Sequence, residues 1–264
     1  MMNKNNICAA CGTYFPLQED LPKLCPICAD DRQYVPETGQ EWTSTAYLLE
    51  NHAIDIKELD SGLYQLRMTP SFSIGQRALL IIAPEGNVLW DCIPLLDPPT
   101  IDFINSKGGL KAIAFSHPHF YSNMNDWAHA FDCPIYIHKN DEKWIVNRGD
   151  QIRLWSGFEK PLWDDMRLIN IGGHFPGSSI LEVPFISAKG TLLCGDTFVI
   201  SPSKKHIAAM NSYPNKIPLP LDEIRRIKQI VGNLRFDAIE GWNDSQSIGS
   251  NASSILENSL ARYI

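Results

Sequence analysis

The chain reads Ser-His-Pro-His-Phe-Tyr-Ser at residues 116–122, directly after a short apolar run. His117 and His119 are separated by one residue, and alternating side chains of extended backbone project to the same side of the chain. Both imidazoles can therefore reach one point in space, at the place where a buried strand ends. This stretch predicts the first half of a metal centre and, with it, the position of a strand edge in the fold.

Two later segments complete the pattern. His174 lies between glycines in Gly-Gly-His-Phe-Pro-Gly-Ser at residues 172–178, and Asp196 follows the apolar run and glycine at 192–195. Three imidazoles and a carboxylate, each next to the end of an apolar run, form a donor set typical of zinc or iron. The sequence therefore predicts a main metal site made by His117, His119, His174 and Asp196.

These segments resemble the signature of the metallo-β-lactamase fold, in which H-x-H-x-D-H is followed by a distant G-H-x-x-G-S and then by G-D at a strand end. The resemblance spans residues 60–264 and includes an early apolar strand that ends in aspartate at 88–92. It implies an α/β fold with two central sheets between helices, an αββα sandwich. It also implies a metal-dependent hydrolase in which a single metal-activated water attacks an ester-, thioester-, amide- or phosphoester-type small-molecule substrate.

The chain departs from the family pattern at the second metal. Family members with two metals use the aspartate and the last histidine of the first motif, together with a late histidine. Here Tyr121 and Ser122 occupy the first two positions, Trp242 lies in the corresponding late turn, and no histidine follows His206. We therefore expect a degenerate second site and one metal, zinc or iron, in the main site.

The role of two catalytic candidates stays open at this point. Asp196 could be a fourth metal ligand or could accept a hydrogen bond from the activated water. Tyr121 could donate a hydrogen bond to a developing oxyanion, or its ring could pack beside the site. Bound zinc would lower the pKa of its water toward ~7, which favours hydrolysis.

Two other functions fit the same residues. His117, His174 and Asp196 alone satisfy the two-histidine, one-carboxylate set that holds Fe(II), and persulfide dioxygenases of this superfamily resemble that arrangement. A non-catalytic metal-binding or interaction protein is the third reading, because the second metal site is lost. Metal analysis and an oxygen-consumption assay separate the iron alternative from hydrolysis. A zinc titration that shows no tight site beyond the four-cysteine module would favour the non-catalytic alternative, in which that module is the recognition element.

Four cysteines near the N-terminus predict a separate zinc module. Cys8 and Cys11 form one C-x2-C pair and Cys25 and Cys28 form another, at the spacing of a zinc ribbon. We expect a structural zinc, a module over residues 1–45 and a metallo-β-lactamase-like domain over 46–264, with 32–39 as a polar connector. The other three cysteines, Cys92, Cys133 and Cys194, are expected in the core.

Composition limits the partners. With 44% hydrophobic residues and a net charge of −7, the 264-residue chain is typical of globular proteins and poorly suited to bind nucleic acid. No apolar run is long enough to span a membrane, and the polar start at residues 1–6 is unlike a signal peptide, so we expect a cytoplasmic protein. The expected partner is a small-molecule substrate, with a homo-oligomer left open. We expect Tyr213, Asn215 and Trp242 to line its pocket.

Local patterns also predict the secondary structure. Strands are expected at 63–68, 78–83, 87–93, 111–115, 135–138, 166–171, 180–184, 191–194 and 235–240. Helices are expected at 99–106, 123–131, 141–147, 221–231 and 247–262, with Asn123 and Asp141 as capping residues.

Overall fold

The computed structural model describes residues 4–17 and 20–264, so residues 1–3 of the polar N-terminus lie outside the described residues. The first elements are two short antiparallel strands, β1 (Ile7–Cys8) and β2 (Trp42–Thr43), with the cysteine-bearing loops between them. Helix α1 (Thr45–Asn51) follows. It begins after Ser44, whose hydroxyl accepts a hydrogen bond from a backbone amide of the first turn, as helix-capping serines do.

Seven strands form the first sheet in sequence order. They are β3 (Ala53–Asp60), β4 (Leu63–Thr69), β5 (Arg77–Ile81), β6 (Val88–Trp90), β7 (Ala112–Ala114), β8 (Ile135–His138) and β9 (Ile152–Trp155). Pairing is antiparallel from β3 to β6 and parallel from β6 to β9. Parallel neighbours need a crossover, and helices α2 (Pro98–Ser106) and α3 (Met124–Phe131) supply the first two.

The rest of the chain builds a second sheet and two small ribbons. The strands are β10 (Glu159–Pro161), β11 (Arg167–Asn170), β12 (Ser179–Val183), β13 (Thr191–Cys194), β14 (Val199–Ile200), β15 (Ile207–Ala208), β16 (Met210–Ser212), β17 (Ile217–Pro218), β18 (Ala238–Glu240) and β19 (Ser247–Ile248). The sheet has the order β10-β11-β12-β13-β18-β19, while β14 pairs with β15 and β16 with β17. Helices α4 (Leu221–Val231) and α5 (Ala252–Leu260) complete this half.

Alternate side chains along the strands pack into different hydrophobic clusters, one between the two sheets and one on the helix side of each sheet. Leu79 of β5 and Leu181 of β12 pack together in the layer between the two sheets. Their neighbours Leu80 and Ile180 point the other way, toward the helices α2 and α3 and the helices α4 and α5 respectively. Since side chains alternate across a strand, one apolar run can fill two layers. This helix–sheet–sheet–helix order confirms the predicted αββα sandwich.

Most predicted elements are confirmed, and two are wrong in part. The predicted helix at 247–262 begins only at Ala252, because residues 247–248 add an edge strand to β18. The predicted helix at 141–147 is a 3-10 segment, Lys139–Trp144, and Asp141 does not cap it. The Asp141 carboxylate instead accepts the amide of Gly177 at 2.8 Å, a partner 36 residues away. In the part of the chain described, no helix is long and apolar enough to cross a bilayer.

The N-terminal residues pack directly on the sandwich. Ile7 and Tyr14 belong to the core between the first sheet and its helices, and the Tyr14 hydroxyl donates to the carbonyl of Pro94 at 2.9 Å. The four cysteines form a small cluster of their own with Trp144 and neighbouring apolar side chains. The division of the chain at residue 45 stays a prediction. Cys92, Cys133 and Cys194 are buried, as expected.

Candidate metal centre

The four predicted main-site residues lie at neighbouring strand ends. His117 and His119 follow β7, with His119 inside the 3-10 turn Pro118–Phe120. His174 lies in the loop between β11 and β12, and Asp196 comes two residues after β13. Strands of both sheets therefore end at one edge of the sandwich and deliver all four side chains to one place.

The donor atoms are spaced as metal ligands are. Asp196 Oδ2 lies 3.4 Å from His117 Nε2, 3.5 Å from His119 Nδ1 and 3.7 Å from His174 Nε2. His119 Nδ1 and His174 Nε2 are 3.3 Å apart, and all the donor atoms lie within 4.8 Å of one another. A tetrahedral site with bonds of about 2.0–2.1 Å has edges of about 3.3–3.4 Å. The four residues can hold one metal ion.

A buried relay orients His117. The Ser116 hydroxyl donates to the carboxylate of Asp91 at 2.9 Å, and His117 Nδ1 lies 2.8 Å from the same hydroxyl. A metal bound at Nε2 would need the proton on Nδ1, which can donate to the Ser116 hydroxyl while that hydroxyl donates to Asp91. His117 Nε2 is buried and has no hydrogen-bond partner among the residues described, as a metal ligand without its metal would be.

His174 is oriented in the same way from the opposite loop. Its Nδ1 donates to the carbonyl of Asn211 at 2.8 Å, so Nε2 faces the other donors unprotonated. The ring of Phe175 lies against this cluster, with centroids 5.1 Å from His119 and 5.0 Å from His174. The imidazoles are thus held by a hydrogen bond on one side and by aromatic packing on the other.

The ionisation states also suit a metal. Burial lowers the pKa of His117 to about 4 and holds the pKa of His174 well below its usual range, so both imidazoles are neutral at pH 7. Burial alone would raise the pKa of Asp196, but the surrounding histidines outweigh it and lower that pKa, so the carboxylate is ionised. Neutral imidazoles and an ionised carboxylate are the forms that bind metal. The donor set therefore fits a divalent cation.

The four cysteines form a second group that fits a metal. Cys8 Sγ lies 3.7 Å from Cys28 Sγ, and Cys11 Sγ lies 3.7 Å from Cys25 Sγ. A disulfide needs about 2.05 Å, whereas four sulfurs around zinc at about 2.3 Å are separated by about 3.8 Å. The spacing excludes disulfides in this structure and agrees with a tetrahedral thiolate site.

The pKa values of the cysteine thiols also favour metal binding by this group. Hydrogen bonding with Cys11 and the other thiols lowers the pKa of Cys8, while hydrogen bonding with Cys25 and the other thiols, together with burial, raises the pKa of Cys11. Packed thiols thus resist losing all four protons unless a cation compensates them. The Gln40 amide donates to Cys8 Sγ at 3.2 Å, a contact that supports a thiolate there.

A cleft of about 490 Å³ opens beside the main site. Asp196 lies in its lining, and the main-domain side includes Val199, Tyr213 and Trp242. The Tyr213 ring lies 6.4 Å from that of His174. Two of the three residues expected around a substrate therefore lie on the cleft wall.

Asn215 and Tyr121, the other two residues expected to take part in substrate binding or catalysis, lie outside the cleft lining. The Asn215 amide is not in the cleft lining but donates to the backbone carbonyls of Asp31 at 2.8 Å and Gln33 at 3.1 Å. Tyr121 is buried, its ring 5.1 Å from that of Phe115, and it is likewise absent from the cleft lining. Substrate contact by Asn215 and catalysis by Tyr121 stay predictions.

The residues at the positions where the two-metal family pattern has ligands for the second metal make other contacts in this structure. The Ser122 hydroxyl accepts a hydrogen bond from the Gln76 amide at 3.0 Å, and Trp242 contributes apolar surface to the cleft. Among residues 4–17 and 20–264, the groups of side chains able to hold a metal are the four-cysteine cluster and the cluster of three histidines with Asp196. The loss of the second site of the two-metal pattern stays a prediction.

Several residues of the site had no local signal strong enough to single them out. Ser116 immediately precedes the histidine pair, so its position was a usable hint. Asn211 acts through its backbone carbonyl, which sequence does not reveal. Arg32 donates from Nε to the carbonyl of His174, and its guanidinium lies 4.5 Å over the Phe175 ring. That contact joins segments 142 residues apart.

Comparison with known proteins gives one relative in sequence. The chain is 39% identical over 262 residues to the uncharacterized protein YmaE of Bacillus subtilis strain 168, an alignment that covers 98% of this chain and 95% of the relative. A comparison with models of protein families finds no match. The relative therefore shows shared descent without supplying an activity.

Comparison of structures gives the fold. The metallo-β-lactamase TMB-1 superposes with a TM-score of 0.58 and 14% identity, covering 80% of this chain and 98% of that one. DIM-1 gives 0.57 and 12%, with the same coverage. FIM-1 from Pseudomonas aeruginosa, in its mono-zinc form, gives 0.55 and 10%, covering 79% and 95%. The architecture is shared although most residues differ.

Proposed function

Since the chain belongs to the family of YmaE and has the metallo-β-lactamase fold, we propose that it is a metal-dependent hydrolase with one zinc in its main site. The observation that carries the proposal is the convergence of His117, His119, His174 and Asp196 at ligand spacing, beside an open cleft. A second zinc, held by the four cysteines, would be structural. The substrate would be a small ester, thioester, amide or phosphoester.

The spacing supports a direct role for Asp196 as a ligand. Its Oδ2 lies 3.4–3.7 Å from three imidazole nitrogens, which is within about 0.4 Å of the edge of a tetrahedral zinc site. A zinc held by these residues would supply Lewis acidity toward a carbonyl or phosphoryl oxygen and would make water a better nucleophile. Because the pKa of Asp196 is lowered, this carboxylate would bind and orient rather than act as a strong base.

The protein's own contribution is to position the donors and to shield the reaction. The relay from Asp91 through Ser116 holds His117 in one tautomer, and the Asn211 carbonyl does the same for His174. The three imidazoles are almost completely buried, while the Asp196 side chain is 16% exposed. Substrate would therefore reach the site from the side of Asp196, through the cleft.

The two alternatives are less well supported by the geometry. An iron site of His117, His174 and Asp196 would leave His119 outside the ligand set, yet His119 Nδ1 lies 3.3 Å from His174 Nε2 and faces the same point. A non-catalytic metal-binding protein would need the same donors, but it would not need a cleft of about 490 Å³ that reaches one of them, Asp196. Oxygen consumption with a persulfide substrate would favour the first alternative.

The test is elemental analysis of protein that was never exposed to chelator. We expect about two zinc ions per wild-type chain, about one in His119→Ala and about two in His129→Ala, a matched control on the exposed face of α3. Hydrolysis of a panel of esters and thioesters should be lost with the metal of the main site and retained in the control. Three ions in the wild type, or an unchanged count in His119→Ala, would contradict the one-metal site.

A further inference from the structure

The N-terminal module, for which the sequence predicts a structural zinc, lies against the metal cleft. Six of its residues line the cleft together with Tyr213 and Trp242, and they are Ala9, Ala10, Arg32, Gln33, Tyr34 and Pro36. Four residues of the predicted connector at 32–39 thus belong to the cleft wall, and they are Arg32, Gln33, Tyr34 and Pro36.

The first cysteine knuckle is itself part of that wall. Ala9 and Ala10 are the two residues between Cys8 and Cys11, so the loop that would wrap one side of a zinc ion faces the cleft with its other side. The Ala10 carbonyl accepts a hydrogen bond from the Ser73 hydroxyl at 3.0 Å, which attaches this loop to the main domain. Metal binding by the cysteines would therefore shape the cleft directly.

Residues 31–33 are held in place from the main domain. The Asn215 amide donates to the carbonyls on both sides of Arg32, and Arg32 in turn donates to the His174 carbonyl. The Arg32 guanidinium also packs over Phe175, whose ring contacts the histidine cluster. Backbone held on two sides gives a preorganised surface rather than a loose connector.

The chemistry of the wall indicates which ligands it accepts. Arg32 is paired with Asp30 at 2.7 Å, so its charge is already compensated. No other lysine or arginine occurs among the described residues of the cleft lining, and a phosphate group prefers clustered cations. Tyr34, with 57% of its surface exposed, and Trp242 both contribute aromatic surface to the cleft lining. Such a lining favours an uncharged apolar group.

We propose that the four-cysteine module is the substrate-recognition wall of the metal cleft, and that Tyr34 selects ligands carrying an uncharged aromatic or acyl group next to the group that reacts. The inference rests on the proposed function, since it assumes a metal that a ligand can reach. The module would then take part in substrate recognition. The substrate would be an ester, thioester, amide or phosphoester that carries an apolar substituent.

Two thiols that differ only in their apolar group provide the test. Ethanethiol and benzyl mercaptan both offer a sulfur to the main-site metal, but only benzyl mercaptan has a ring to place against the wall. Binding is measured by calorimetry on the full-length, zinc-loaded protein, with zinc content checked afterwards. We expect wild type to bind benzyl mercaptan about tenfold more tightly than ethanethiol, the usual size of one aromatic contact.

Tyr34→Ala should remove most of this preference and leave ethanethiol binding within about twofold of wild type. The matched control is Tyr47→Ala, because Tyr47 on α1 is 50% exposed and does not line the cleft. The control should keep the full preference. Cys25→Ser should remove zinc from the module and should therefore also lose the preference for benzyl mercaptan over ethanethiol.

The outcomes separate the inference from the function on which it rests. Equal affinities of wild type for the two thiols, or an unchanged preference in Tyr34→Ala, would overturn the recognition wall and leave a metal-dependent hydrolase intact. If wild type with a filled main site bound neither thiol, the metal would be inaccessible, and both the recognition wall and the proposed function would be overturned.

Discussion

Gly195, the residue before Asp196, is the position where one added methyl group should dismantle the metal site. A Cβ built on Gly195 would lie 2.3 Å from Ser116 Oγ and 2.6 Å from His117 Nδ1, where ordinary contacts begin at 3.4 Å. Ser116 cannot swing away freely, because its hydroxyl donates to the buried carboxylate of Asp91. The backbone angle of Gly195 is not in the left-handed region, so the effect of Gly195→Ala is purely steric.

The expected magnitude follows from the size of that clash. Relieving it needs a shift of about 1 Å between the segments that carry His117 and Asp196, whereas metal–ligand distances tolerate about 0.2 Å. We therefore expect main-site metal affinity to fall at least ~100-fold, the upper range for disturbing residues that orient a ligand. Overpacking should also cost about 1–3 kcal/mol of stability, or roughly 2–10 °C in Tm.

Metal titration by calorimetry and zinc analysis after dialysis check this prediction. Gly195→Ala should retain about one zinc per chain, in the cysteine module, where wild type retains about two. Gly249→Ala is the matched control, because a Cβ there meets no atom within 4 Å and its backbone angle is also unstrained. If Gly195→Ala bound main-site zinc as tightly as the control, the packing argument for this site would be refuted.

Three further predictions concern the N-terminal cysteine module, the ion pair between Arg77 and Glu240, and the buried carboxyl group of Asp141. Cys25→Ser should release about one zinc and make the N-terminal module protease-sensitive while sparing the main domain, and unchanged zinc content would contradict this. Arg77→Met should lower the free energy of unfolding by about 3–5 kcal/mol, because the substitution leaves the Glu240 carboxylate without its partner at 2.7 Å. Arg225→Met, at an exposed ion pair, is the control and should change the free energy of unfolding by under ~0.5 kcal/mol. Urea titrations measure both values. Burial raises the pKa of Asp141 to about 7 from 3.8, so its contribution to stability is full below pH 3.8 and is lost as pH rises through 7. Asp141→Asn should therefore gain stability relative to wild type, on the order of 3–4 kcal/mol, between about pH 4 and 8 in denaturant titrations, and a pH-independent difference would contradict it.

The fold and the ligand set were predictable because their signals are local. Each ligand directly follows an apolar run, as with His117 after β7 and Asp196 after β13, and side chains at strand ends collect at a sheet edge. The cysteine pairs are local in the same sense, since two residues between sulfurs make a tight turn. Where local signals conflict, the prediction fails: the pattern at 247–262 suggested one helix, but pairing with β18 takes its first residues.

The sequence by itself therefore determined the αββα architecture, the three histidines with Asp196 and the four-cysteine cluster. Only the tertiary structure decided what surrounds them. The contact of Arg32 with His174 joins residues 142 positions apart, and the Asn215 amide meets the Asp31 carbonyl 184 positions away. Surface segments carry no periodic pattern that encodes such partners, because solvent satisfies their polar groups equally well until the folded sheets bring the two segments together.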